Sequence, residues 1–281
     1  MNQPQVRDEE VQMSIVGPRK YLKAIDCGTT VVYRHCPFEP PTEARIKRID
    51  KEHYVVKSTA ELRRYSPRSE TKGDNLHSVR QSFNRLKSVI NANVRGNDCV
   101  RFLTLTYAEN MTDNARISSD LRQFFKRLRK MYGPMEYLYV KERQARGAWH
   151  MHCVLFFDGP APYMANTEDD HPVRDAWGHG FVNVQGFSGD INNLGNYLCA
   201  YLTDDDQLGK KGARLANYES GIRLYNCSRG ISRPRESRVS WEDYVQHVSS
   251  PNVYLVSEGD SSFIDGDGRP AKVINQIFVE R

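Results

Sequence analysis

The stretch Trp149-His150-Met151-His152-Cys153-Val154-Leu155-Phe156-Phe157 decides how this chain is read. Its β-branched and aromatic run marks a buried strand, and two residues one apart on a strand project from the same face, roughly 6 to 7 Å apart at the Cα. Both imidazoles therefore reach one metal ion, or else are ordinary strand histidines; the spacing alone leaves both readings open. Working outward, Met135 to about Lys141 reads as the preceding strand, with Arg146-Gly147 as the turn of a hairpin. Before it, Thr112 or Asp113 caps a helix whose apolar stripe is Ile117, Leu121, Phe124, Phe125, Leu128 and Met131, and Gly133-Pro134 ends it. Cys99 to Tyr107 is a buried strand ahead of that helix. Strand, helix, strand, hairpin, strand predicts an α+β fold: a central antiparallel sheet of about five strands with flanking helices.

Further out, Asn75 to about Asn93 carries Leu76, Val79, Phe83, Leu86 and Ile90 at helical spacing. Tyr21 to Arg34 and His53 to Ser58 are short strands, Arg63 to Gly73 a polar linker, and the first dozen residues a disordered tail. Past the histidines, Asp158 to Asp175 is a loop and Gly180 to Val184 a short strand. Asp190 to about Asp204 is a helix with Leu194, Tyr197, Leu198, Tyr201 and Leu202 at helical spacing. Arg214 to Asn226 has room for a strand, Cys227 to Arg238 is basic and irregular, and Val253–Val256 and Val273–Val279 close the chain. The expected division is an N-terminal extension over 1–72, a central domain over 73–240 and a C-terminal extension over 241–281.

In 281 residues, 40 Lys and Arg stand against 35 Asp and Glu, a net charge of +5, but the basic residues cluster. Such clustering suits a polyanion better than the net charge suggests, with a solvated face as the plain alternative for any one cluster. Arg122, Lys126 and Arg127 on the 113–131 helix, Lys210, Lys211 and Arg214 beyond the tyrosines, and Arg229 and Arg233 near the end are the candidate phosphate contacts. Six cysteines form no CxxC pair and read as reduced residues of a cytoplasmic protein. The N-terminus is polar and acidic, and no segment supplies the roughly 18 apolar residues of a membrane span.

Antiparallel pairing across the hairpin brings Glu142 close to the two histidines. Two neutral nitrogens and a carboxylate make a three-ligand set with open positions, the kind that polarises a substrate oxygen. Tyr197 and Tyr201, four apart, share a helix face about 6 Å apart along the axis. A phenol, with an ordinary pKa of about 10, attacks phosphorus only when something nearby activates it or stabilises charge on the phosphoryl oxygens. Thr104 and Thr106 share one side of their strand, and His171 and His179 read as loop or structural residues.

Three segments in order, Phe102-Leu103-Thr104-Leu105-Thr106, Trp149-His150-Met151-His152 and Tyr197-Leu198-Cys199-Ala200-Tyr201, resemble motifs 1, 2 and 3 of the HUH-superfamily rolling-circle replication initiators. The chain is most similar to the replication proteins of small rolling-circle plasmids and phages of Gram-positive bacteria, over roughly residues 75 to 235. The resemblance implies an HUH endonuclease domain of ferredoxin-like, RRM-like topology that nicks and rejoins single-stranded origin DNA. His150 and His152 would be the metal ligands with Glu142 as the third, for Mg²⁺ or Mn²⁺. Tyr197 and Tyr201 would be the nucleophile pair, giving a 5′-phosphotyrosyl intermediate and a free 3′-OH. Many relatives carry a lysine three residues after each tyrosine; here Ala200 and Asp204 stand there, and Lys210 or Lys211 is left as the substitute. The sequence contains no GxxxxGK[ST] loop, so a host helicase and a host polymerase are the expected partners, and an oligomer is compatible with the reading. Within the same chemistry a plasmid relaxase or tyrosine transposase is the alternative. A DNA-binding regulator with decayed catalysis is the alternative of another class, and an unrelated metallohydrolase would leave the paired tyrosines unexplained.

Overall fold

The structure is a computed structural model and describes residues 21–39, 44–67, 70–144, 147–186, 195, 198, 218–264 and 270–280. Two compact units divide the chain, one spanning 66–233 and the other made from the residues up to Tyr65 together with those from Pro234 onward. The sequence pattern sets the two ends apart as extensions with boundaries at 72 and 240. Instead they share one sheet, joined by pairings between segments some two hundred residues apart that no local pattern announces.

In the central unit, α1 (Leu76–Asn91) is followed by β6 (Val100–Thr106), α2 (Asn114–Tyr132), β7 (Glu136–Arg143), β8 (Trp149–Phe156), α3 (Pro172–Trp177), β9 (Val182–Gly186) and β10 (Tyr225–Cys227). The strands lie in the order β10-β7-β8-β6-β9, each antiparallel to its neighbour. Strands β6 to β9 with α2 and α3 form two interleaved βαβ units, the split arrangement of the ferredoxin-like fold. The α+β class with a five-stranded antiparallel sheet and flanking helices is as the sequence predicts.

Helix α2 is capped by Asp113, whose carboxylate accepts from the backbone N–H of Ala115 and Arg116. It ends at Gly133, where φ is +87°. Ile117, Leu121, Phe124, Phe125 and Leu128 are buried beneath it, while Met131, the last of the expected stripe, is 45% exposed because it falls in the final turn. Phe125 stacks on Tyr137 with ring centroids 3.6 Å apart, and Lys141 donates to Asn114. Those contacts fix α2 on the sheet face that carries Tyr137, Tyr139 and Lys141. Histidines 150 and 152 therefore point to the other face, since side chains alternate along each strand. Phe124, fully buried, is the single residue whose truncation to Ala would harm this layer most, at about 3–5 kcal/mol.

Strand β9 begins just after a close approach: a Cβ on Gly180 would lie 2.5 Å from the Ala108 nitrogen and the Thr106 oxygen. Only glycine lets the chain lie this near β6. Trp177 Nε1 donates to Thr106 O at 2.9 Å, and Arg127 donates to Ala176 O at 2.8 Å, so α3 and the entry to β9 are pinned to β6 and α2.

The outer unit holds β1 (Tyr21–Asp26), β2 (Thr30–Cys36), β11 (Arg235–Arg238), α4 (Trp241–Val248), β12 (Val253–Ile264) and β13 (Pro270–Glu280), with the sheet order β11-β1-β2-β13-β12. A second, three-stranded sheet is β3 (Ile46–Arg48), β4 (His53–Val56) and β5 (Glu61–Arg64). Two expectations are corrected here. Residues 235–238 form a strand rather than irregular chain, and the closing strands are far longer than the apolar cores that signalled them, because their outer halves are polar hairpin. No described helix is long and apolar enough to cross a membrane.

Candidate nucleic-acid processing site on the histidine sheet

The register puts functional side chains in cross-strand rows. In one row Glu142 faces His150 and His150 faces Thr106; in the next, Val140 faces His152 and His152 faces Thr104. Directly opposed residues share a face, so Glu142, both histidines and both threonines emerge together. The hairpin with Gly147 at φ +87° sets that register, because a one-residue slip would send either the histidines or the carboxylate into the α2 layer.

His152, 3% exposed, donates from Nε2 to Glu142 Oε2 at 2.7 Å in a buried pair, and its Nδ1 lies 3.3 Å from the Thr104 hydroxyl. With Nε2 protonated, Thr104 is the donor to Nδ1, so both ring nitrogens are engaged and the ring is fixed. His150 is half-buried, and Gln144 Nε2 donates to its Nδ1 at 3.2 Å. Buried polar rings on a hydrophobic strand are thus satisfied by carboxylate, hydroxyl and amide rather than left in the core.

In donor chemistry, two imidazoles and a carboxylate suit a divalent ion. As arranged, these groups bond one another and their neighbours rather than converge on a point: among the described residues no three His, Cys, Asp or Glu are grouped to hold a metal. His150, His152 and Glu142 are brought together on one face as expected.

The other expected residues fall as follows. Arg122, Lys126 and Arg127 are exposed on α2, which covers the face opposite the histidines, and Arg127 bonds to α3. Arg233 lines a cavity of about 420 Å³ beside β10, together with Lys72, Arg85, Arg223, Tyr225 and Cys227; among the described residues of its wall none is acidic. Arg229 is exposed beyond β10. Tyr197, Tyr201, Lys210, Lys211 and Arg214 lie outside the described residues. Within the expected tyrosine helix, Leu198 is fully buried in the main core, and a Cβ on Gly195 would meet Lys87 of α1 at 2.9 Å. His179 lies 3.7 Å from Asp120 and among the rings of Tyr107 and Trp177, the structural setting expected of it.

Two residues escape a reading of the sequence. Gln144 has no signal in one sequence, being a polar residue at a strand end. Arg223 does have one: it lies two residues before Tyr225 and four before Cys227, so a strand begun earlier would put all three on one face. Lys141 N donates to Leu224 O at 3.3 Å, which continues the β10–β7 ladder and sets Arg223 opposite Glu142. On the α2 face, burial lowers the pKa of Lys141 below the ordinary lysine range, and burial followed by the Asp120 carboxylate raises that of Tyr107.

An antiparallel, ferredoxin-like sheet with a histidine–carboxylate cluster on its half-open face defines the class: an α+β domain with a polar site in mid-sheet. Residues 100–206, less than half of the chain but including β6 to β9 and the tyrosine segment, match the family of the replication-associated protein ORF2. No curated protein and no solved structure matches. The likeness is therefore to replication-associated proteins, and it falls on the sheet that carries the histidines.

Proposed function

We propose that this protein is a rolling-circle replication initiator of the HUH type, which nicks and rejoins single-stranded origin DNA through a tyrosine nucleophile. One observation carries the reading: Glu142, His150 and His152 share one sheet face inside the segment that matches replication-associated proteins. His150, His152 and Glu142 would hold Mg²⁺ or Mn²⁺, which when bound supplies Lewis-acid stabilisation of charge on the scissile phosphate. For His152 to ligate through Nε2, its proton moves to Nδ1 and the Thr104 hydroxyl turns from donor to acceptor. Thr104 thereby holds the ring in either tautomer.

Tyr197 and Tyr201 are the proposed nucleophiles. The attacking phenol loses its proton as its oxygen bonds to phosphorus, and the 3′ oxygen leaves with a proton as a free hydroxyl. The phosphodiester's energy is kept in the phosphotyrosine, so the strand can be rejoined by the reverse step, and the second tyrosine allows a second cut. Origin DNA, a host helicase and a host polymerase are the partners of this reading, and a relaxase or transposase would use the same chemistry on a different DNA.

Incubation with a single-stranded origin oligonucleotide and Mn²⁺, followed by a denaturing gel, tests it. Wild type should yield a covalent adduct that EDTA prevents, and Tyr197→Phe/Tyr201→Phe should yield none. An adduct from the double variant would overturn the mechanism.

A further inference from the structure

The cross-strand row through the site extends beyond it on both sides. Thr106 N donates to Phe181 O at 2.9 Å and the Thr106 hydroxyl to the same oxygen at 3.0 Å, one step past the β6–β9 pairing of Leu105 with Val182. Phe181 is thus opposite Thr106, and the row reads Arg223, Glu142, His150, Thr106, Phe181 from one edge of the sheet to the other. Phe181 is 63% exposed, an uncommon state for a phenylalanine, and it sits on the edge strand, which no further described strand covers. Along that strand Val182 is buried and Val184 packs against the core, while Phe181, Asn183 and Gln185 take the alternate positions, which are those of the histidine face. Asn183 is opposite Thr104 and Gln185 opposite Phe102.

We propose that the β9 edge is a base-reading ridge for single-stranded DNA. The strand crosses the histidine face along the row, with a phosphate held by Arg223 and the basic cavity, and with the base on the far side of the cut stacked on Phe181 beside Asn183 and Gln185. This rests on the reading of the histidine cluster as the cutting site. The physical case is that aromatic faces bind bases without regard to sequence, whereas side-chain amides pair with base edges and so discriminate among them. Phe181 lies two strand spacings, about 10 Å, from His150. That is within reach of the base of a nucleotide next to the scissile phosphate. Opposite, Lys72, Arg85, Arg223 and Arg233 line a cavity whose described wall has no acidic residue, as a phosphate requires.

The test uses the full chain in EDTA, so that binding is read without cutting. Fluorescence anisotropy would be measured with labelled dT12 and with a twelve-unit abasic strand of the same backbone. Phe181→Ala should weaken dT12 binding roughly tenfold and leave the abasic strand unchanged, and Phe181→Trp should restore it. Arg223→Ala should weaken both probes equally and reduce the salt slope by about 0.7. Wild type should rank dA12, dC12 and dT12 differently, and Asn183→Ala/Gln185→Ala should flatten that ranking. Unchanged dT12 binding by Phe181→Ala, equal weakening of both probes by it, or a ranking that survives the amide double variant would each overturn the proposal. If those binding results hold while wild type forms no Mn²⁺-dependent adduct, the ridge stands and the nicking reading falls; the converse result separates them the other way.

Discussion

Each of the two five-stranded sheets buries a histidine on an inner strand, and the two histidines are in opposite situations. His35 on β2 is fully buried and bonds through Nε2 to Gln276 at 2.8 Å. Tyr244 donates to the same amide oxygen at 2.6 Å, and the Gln276 amide donates to Glu258 at 2.7 Å. The rings of Trp241 and Tyr244 close over it. His152 on β8 is almost as buried, but its partner is a carboxylate directly, and a half-buried second histidine stands two residues away on the same face. A neutral amide in an aromatic box fixes a fold. A carboxylate beside an accessible imidazole is able to exchange its partner for a ligand. Burial alone does not tell a working histidine from a structural one; the charge of its partner and the openness of its row do.

The sharpest way to break this contrast is to truncate each histidine in turn. His152→Ala should lower covalent adduct formation by roughly 10²–10³-fold, the size expected when one group that stabilises developing charge is lost. His35→Ala, assayed where the protein remains folded, should leave the adduct unchanged. Adduct loss from both, or from neither, would remove the distinction between the sheets.

Thr104→Val keeps the shape but deletes the hydroxyl that fixes His152 Nδ1. It should cost about 10–100-fold in metal affinity or cleavage, rescued by Thr104→Ser. On the structural side, Tyr244→Phe should cost about 1–3 kcal/mol in denaturant unfolding, because it removes one donor from the buried amide network and leaves the rest in place.

The smallest effect is on pH. In the outer unit burial pushes the Cys27 thiol from 9.0 up to about 11 and the Tyr33 phenol from 10.0 up to about 12; in the central unit it pushes Tyr139 from 10.0 up to about 12. These groups stay protonated in the folded chain while their unfolded counterparts ionise. Above about pH 9 the unfolded state binds fewer protons, so stability is full below that pH and falls as pH rises towards 12. A thermal melt series from pH 8 to 11 should show a shallow decline; a melting temperature that rises over this range would contradict it.

The α2 helix, with its Asp113 cap, five-residue stripe and glycine stop, is fully legible in the sequence because capping and 3.6-residue periodicity are local. So is the β7–β8 hairpin, and with it the shared face of Glu142, His150 and His152, since period-two alternation is also local. What escapes is set by pairing at a distance. Helix α4 lies in a segment whose strand signals are stronger than its helical ones, and β11 looks irregular because Arg235 to Arg238 has no apolar alternation of its own; it is a strand by virtue of β1 beside it. Arg223 gains its place only from Leu224 on the β7 ladder.

By itself, then, the sequence determined the class of the fold, the identity of the polar groups on β8 and their common face, because those follow from backbone geometry within one hairpin. Only the tertiary structure decided that both ends of the chain build one sheet, that α2's basic residues face away from the histidines, and that Arg223 and Phe181 end the histidine row. Strand order and register are properties of non-local hydrogen bonding, and no single segment encodes its neighbour.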